Sequence, residues 1–173
     1  MQFLENGPDI PNELLNAHEE GKVIFFCGAG ISIPAGLPEF KDLVKKIYEA
    51  LGVDPSVIEQ NFQNDKKYDV TLNLLEQRVP GGLVTVRKEL LNVLKPNLRR
   101  KGAIDTHASL LKLAHSRQGL LKLVTTNFDR IFEHVIKQRK LPYRSYSAPM
   151  LPIPNNSWDG LVYLHGLLYS TSS

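Results

Sequence analysis

Three short, mainly apolar runs constrain this chain more than any other feature. They are Val23-Ile24-Phe25-Phe26-Cys27 behind Lys22, Leu120-Leu121-Lys122-Leu123-Val124-Thr125-Thr126, and Leu161-Val162-Tyr163-Leu164. Apolarity that runs on rather than alternating suits parallel strands buried on both faces. Helical patterns separate the runs. Phe40, Leu43, Val44, Ile47 and Leu51 recur at helical spacing over residues 39–51, with Gly52 placed to close that helix. Residues 11–20 read as a short helix opened by Pro11, and Asp105-Thr106 as the cap of a helix running through His115. A further helix is expected from Arg130 to about Lys140. Residues 53–100 carry helical patterns and no strand, which suggests a helical insertion. Pro142 to Trp158 is rich in Pro, Ser and Asn and reads as a long loop. The expected fold is α/β: a Rossmann-like parallel sheet with flanking helices and a helical insertion, incomplete at its C-terminus.

Size and composition narrow the options. With 173 residues the chain suffices for one domain with a real core, but hardly for two. A charge of +3 gives no strong reason to invoke nucleic acid. One cysteine, Cys27, permits no internal disulfide and no four-cysteine zinc site. The N-terminus lacks the pattern of a signal peptide, and no apolar run approaches the roughly 20 residues of a membrane span. A cytoplasmic protein without a membrane partner is expected. There are no internal repeats. The basic clusters Arg99-Arg100-Lys101 and Lys137-Gln138-Arg139-Lys140 read as solvated helix ends.

In open parallel sheets, ligands bind beyond the carboxyl ends of the strands. All three runs end in residues unusual for a plain turn. The first ends in Gly28-Ala29-Gly30-Ile31-Ser32. Glycines let backbone approach a phosphate closely, although a simple strand-to-loop turn explains them equally well. The spacing departs from Gly-x-Gly-x-x-Gly, since Pro34 intervenes and the next glycine is Gly36. The second run ends in Thr125-Thr126-Asn127-Phe128-Asp129. Asn127 and Asp129 offer short hydrogen-bonding groups for ribose hydroxyls and a carboxamide, or a cap for the helix that follows. The third ends in His165-Gly166, with a histidine suited to general-base work. His18, His115 and His134 lie on expected helices with surface or packing roles. His107 follows a cap and is expected to pack or bond locally.

These motifs, in this order across residues 22–166, resemble the sirtuin-like (silent information regulator) family. The matching pieces are Gly28-Ala29-Gly30-Ile31-Ser32, Gly36-Leu37-Pro38-Glu39-Phe40, Asn127-Phe128-Asp129 and His165-Gly166, with the His107 helix ahead of the second run. Protein-deacylating members carry Gln where this chain has Thr126, and Asp-Phe-Arg where it has Glu39-Phe40-Lys41. The Thr-Thr-Asn-Phe-Asp form is closer to the divergent sirtuin-like domains of bacterial anti-phage defence proteins, which hydrolyse NAD.

The resemblance implies NAD as substrate. It implies that Gly28, Ala29, Gly30 and Ser32 hold the diphosphate and its ribose. Thr126 and Asp129 would bind at the nicotinamide side, with Asn127 and His165 as catalytic groups and Phe40 covering the ring. It implies no resident metal, and control of activity by self-association or a partner protein. Such a sheet has further strands, so residues 1–173 are expected to be the N-terminal portion of one NAD-binding domain. A deacylase using the same NAD chemistry and a non-catalytic NAD or ADP-ribose sensor are the alternatives. A deacylase's zinc module would follow His165-Gly166, so its absence here carries no weight.

Overall fold

The fold is described from a computed structural model, which covers residues 1–151 and 158–167. In chain order its elements are α1 (Asn12–Glu19), β1 (Phe25–Cys27), a 3-10 helix (Ala29–Ala35), α2 (Phe40–Leu51), α3 (Val57–Asn64), α4 (Tyr68–Arg78) and α5 (Gly82–Val93). Then follow α6 (Asp105–Leu113), β2 (Lys122–Thr125), α7 (Ile131–Gln138), β3 (Ser145–Ser147) and β4 (Gly160–Tyr163). The chain divides into two compact units. Met1–Gly28 with Ile104–Leu167 forms the sheet unit, and Ala29–Ala103 forms a helical unit. No helix among the described residues is long and apolar enough to cross a membrane.

The sheet unit holds four parallel strands in the order β1-β2-β4-β3. Phe25 lies opposite Leu123, Leu123 opposite Leu161, and Leu161 opposite Ser145. Side chains alternate along a strand. Phe25, Cys27, Leu123, Thr125, Leu161 and Tyr163 therefore share one face. On that face His18 of α1 meets Phe25 edge-on, and Ser145 donates to Glu133 of α7 at 3.3 Å. Leu123, Thr125, Leu161 and Tyr163 are fully buried there.

Burial on both faces holds for β4 but not for β1. Phe26, on the opposite face, is 64% exposed, and its neighbour Val124 is half-buried. Among the described strands β1 lies at an edge of the sheet, which a run of apolar residues does not reveal. Nor is Pro142 to Trp158 wholly a loop, because Ser145–Ser147 forms β3; residues 152–157 of that stretch lie outside the described residues. Polar Ser-Tyr-Ser becomes a strand because β4 offers it a ladder. Leu161 N–H donates to the Arg144 carbonyl (2.8 Å) and Ala148 N–H to the Tyr163 carbonyl (3.1 Å).

Gly160 opens β4 at φ 139°, where a Cβ would stand 2.4 Å from the Arg144 carbonyl oxygen. Gly160→Ala is expected to cost about 2–4 kcal/mol through strain and displacement of β3. Urea unfolding of the variant checks this; a midpoint equal to wild type would mean the β3–β4 start relaxes freely.

α6 begins one residue earlier than a cap at Asp105 would put it. Ile104 occupies the cap without a side-chain bond, and Asp105 sits in the first turn, where its charge suits the helix dipole. The helix ends at Leu113, and His115 instead bridges to Leu121.

The helical unit is built on the amphipathic α2. Leu43, Val44, Ile47 and Tyr48 pack with Leu72 and Leu75 of α4, Val79 and Val86. Gly52 closes α2 as its spacing predicts: at φ 63° its N–H reaches back to the last-turn carbonyls. The unit includes α3, α4 and α5 of the expected insertion together with α2 and the 3-10 helix.

Candidate functional site at the strand ends

The carboxyl ends of β1, β2 and β4 are tied by hydrogen bonds that outlast the ladder. Thr126 N–H donates to the Cys27 carbonyl (3.1 Å), and the Thr125 hydroxyl donates to the same oxygen (3.1 Å). Leu164 N–H donates to the Thr125 carbonyl (2.9 Å). These bonds bring Gly28, the Thr126–Asp129 segment and His165 to one end of the sheet.

Thr125 is the hinge pin of this end. Its side chain is fully buried; its hydroxyl holds β1 and also accepts from Asn127 N–H at 3.1 Å. The backbone leaving β2 is thereby turned at Asn127, which is 6% exposed. Asp129, 7% exposed, accepts from Ile131 N–H through Oδ1 at 3.1 Å. That bond satisfies one of the orphan donors of α7, so Asp129 does serve as a helix-start acceptor. A carboxylate has further lone pairs, so this role leaves capacity for another donor.

His165 follows β4 and is exposed. Gly166, at φ 82°, turns the chain there and donates to the Tyr163 carbonyl at 3.3 Å. Glycine after the histidine is thus a backbone requirement of the turn that presents it. Phe128 lies beside the imidazole, ring centroids 6.1 Å apart. Cys27 contributes its carbonyl rather than its thiol, since burial pushes the thiol up to about 11 and keeps it protonated.

Neither Gly28 nor Gly30 lies in the left-handed region. A Cβ at Gly28 would approach Thr126 Oγ1 no closer than 3.9 Å, and one at Gly30 would meet nothing within 4 Å. Gly28 stands in the sheet unit. Ala29, Gly30 and Ser32 belong to the 3-10 helix of the helical unit, with Ser32 buried. The expected open glycine loop is therefore helical from Ala29 onward. Phe40, expected over a ligand ring, begins α2, packs against that unit's core and meets the Tyr68 ring edge-on at 5.7 Å. The helical unit also has two open clefts of about 400 and 390 Å3 along α2. Neither is lined by Ala29, Gly30, Ser32 or Phe40. Arg100, read as part of a solvated helix end, lines the second cleft with its guanidinium against Gly36.

His107 sits fully buried on α6, its ring edge-on to Phe132 of α7 at 4.7 Å. Burial lowers its pKa, against an upward pull from the Asp129 carboxylate. With the folded value below the unfolded 6.5, the unfolded chain binds the extra proton first as pH falls. Stability is therefore complete above about 6.5 and declines below it, by up to about 1.4 kcal/mol per pH unit from this group. Urea midpoints from pH 7 to 5 should fall for wild type and fall less for His107→Phe; parallel slopes would remove His107 as the cause.

Fold and site together define an α/β protein with a four-stranded parallel sheet and a polar cluster beyond its carboxyl end. No family model matches the chain. It is similar to an uncharacterized protein, y4cA, of Sinorhizobium fredii, 32% identical over 176 residues. The match covers 97% of this chain and 14% of that protein, so the chain spans about a seventh of its relative's length.

Proposed function

We propose that the strand-end cluster of the sheet unit binds NAD and hydrolyses its nicotinamide–ribose bond, releasing nicotinamide and ADP-ribose. The observation that carries this reading is the gathering of Gly28, Thr126, Asn127, Asp129 and His165 beyond three adjacent parallel strands. That end of a parallel sheet is where ligands bind. The donor set suits the substrate: an amide and a carboxylate for ribose hydroxyls and a carboxamide, and an accessible imidazole for a proton. Gly28, whose missing side chain the sheet unit's own packing does not require, leaves room for a diphosphate to approach. Ala29, Gly30, Ser32 and Phe40 enter the reading through the sirtuin-like resemblance alone, as does a role in bacterial anti-phage defence governed by self-association or a partner.

In the reaction the bond from ribose C1′ to the pyridine nitrogen breaks, and its electron pair neutralises the departing nicotinamide. The resulting oxocarbenium-like centre is attacked by water. His165 takes the water's proton as general base. Asn127 orients the ribose and carboxamide, and Asp129 accepts from ribose hydroxyls.

Incubating the protein with NAD, with and without an acetylated peptide, and weighing the products tests this. ADP-ribose and nicotinamide are expected without peptide, and are expected to vanish in Asn127→Ala. Acetyl-ADP-ribose formed only with peptide would replace hydrolysis by deacylation. Saturable NAD binding with no product would leave a sensor.

A further inference from the structure

Asn127 can orient a ribose only if the backbone that carries it is held still, and residues 126–130 between β2 and α7 form neither helix nor strand. Thr125 supplies a hold. It closes β2 opposite Cys27 and is 0% exposed. A hydroxyl has one proton to give and two lone pairs to accept with. A carbonyl can only accept and an N–H can only donate, so both bonds of this hydroxyl have a fixed sense. Its proton goes to the Cys27 carbonyl oxygen at 3.1 Å, and a lone pair takes the Asn127 N–H at 3.1 Å. Branching at Cβ restricts χ1, which keeps the hydroxyl between the two groups. The Cys27 oxygen belongs to the peptide that leads into Gly28. One hydroxyl thus ties the peptide before the proposed diphosphate contact to the residue proposed to orient the nicotinamide ribose.

We propose that Thr125 is a positioning residue of the strand-end site: its hydroxyl sets where Asn127 stands relative to the end of β1, while its own burial keeps it off the ligand. The inference rests on the NAD-cleaving reading for its effect on rate, and the hold on the Asn127 turn is tested separately. Deleting the hydroxyl affects its two partners unequally. The Cys27 carbonyl keeps the Thr126 N–H at 3.1 Å, so the end of β1 and Gly28 stay in place. The Asn127 N–H loses this acceptor, and the turn shifts. A misplacement of about 1 Å in an orienting group costs on the order of 100-fold in rate. The diphosphate contact is spared, so the loss belongs in kcat rather than KM.

Two pairs isolate the hydroxyl: wild type against Thr125→Val, and Thr125→Ser against Thr125→Ala. With NAD as substrate, the hydroxyl-free member of each pair is expected to show kcat lower by about 10–100-fold, with KM within about threefold. Thr125→Ser is expected to keep most of the wild-type kcat. A merely structural role would lower the melting points of Thr125→Val and Thr125→Ala and leave kcat per folded molecule unchanged. That result, or a kcat that follows the methyl rather than the hydroxyl, would overturn the assignment. Should Thr125→Val fail to fold, the Ser and Ala pair makes the same comparison. Amide hydrogen exchange reads the hold itself. The Asn127 amide is expected to exchange at least about threefold faster in the hydroxyl-free members, measured against the Thr126 and Leu164 amides, which bond to backbone carbonyls. Equal change at all three amides refutes the hold. If wild type cleaves no NAD, the cleavage reading fails and exchange alone decides whether Thr125 holds the Asn127 turn.

Discussion

His165→Ala is expected to slow NAD cleavage by about a thousandfold, within the span that general-base catalysis contributes. The unfolding midpoint is expected to stay where it is. The two expectations follow from one placement. His165 stands exposed after β4, and its position is set by backbone: the Leu164 bond to Thr125 before it and the Gly166 turn after it. Removing the imidazole deletes the proton acceptor and a ring contact with Phe128, but no buried atom of the sheet. Mass detection of ADP-ribose beside a thermal melt reads both quantities. Full activity would dismiss His165 as the base, and a lowered melting point would mean the side chain is structural. Asn127, by contrast, is 6% exposed, so Asn127→Ala is the harder variant to interpret without a melt.

Among the ion pairs of the described residues, the largest stability effect is expected in the helical unit, at Arg78. Glu59 is a charged group at 1% exposure. It is held by a capping box: Ser56 N–H donates to its Oε2 at 2.6 Å, and its own N–H reaches the Ser56 hydroxyl at 3.3 Å. Arg78 grips both carboxylate oxygens, at 3.3 and 3.1 Å, and the Asp54 carbonyl at 2.8 Å. Burial alone would raise the Glu59 pKa; the Ser56 and Arg78 bonds outweigh it and lower the group below its ordinary value. Arg78→Ala strands the carboxylate, at an expected cost of about 2–3 kcal/mol. That lies below the usual range for breaking a buried pair, because Arg78 itself is 40% exposed. Glu59→Gln, which keeps the shape and removes the charge, is expected to cost less.

The pH dependence gives a second handle on the same pair. A depressed carboxylate stabilises above its unfolded value of about 4.5 and loses that contribution as pH falls through the folded value. In Arg78→Ala the remaining burial favours the protonated acid, so the variant should regain ground on wild type as pH drops towards 4. Urea midpoints at pH 7 and 4 check this; a deficit unchanged with pH would show that the lost contacts are steric.

Several parts of this molecule are written in local sequence. α2 is legible because five apolar residues at helical spacing end at Gly52, and a left-handed glycine is the cheapest way to stop a helix. The β2 and β4 runs are legible because strands in a sheet's interior need apolar side chains. His165-Gly166 is legible because the turn that presents the histidine needs a residue at positive φ. Other features carry no local signal. β3 is polar Ser-Tyr-Ser and pairs only because β4 arrives beside it. Phe26 is as apolar as its neighbours yet exposed, because edge position is a property of the sheet. The doubled Thr125-Thr126 does not announce that the first hydroxyl would fasten β1 to the Asn127 turn.

Sequence by itself determined the α/β class, the helical stretch and the candidate residues at strand ends, since periodicity and turn chemistry act over a few residues. Tertiary structure alone decided the strand order, the burial of Asp129 at the start of α7, the packing of Phe40 against the helical core and the burial of His107 against Phe132. Those depend on which distant segments exclude water from one another, and that is settled only when the whole chain has closed.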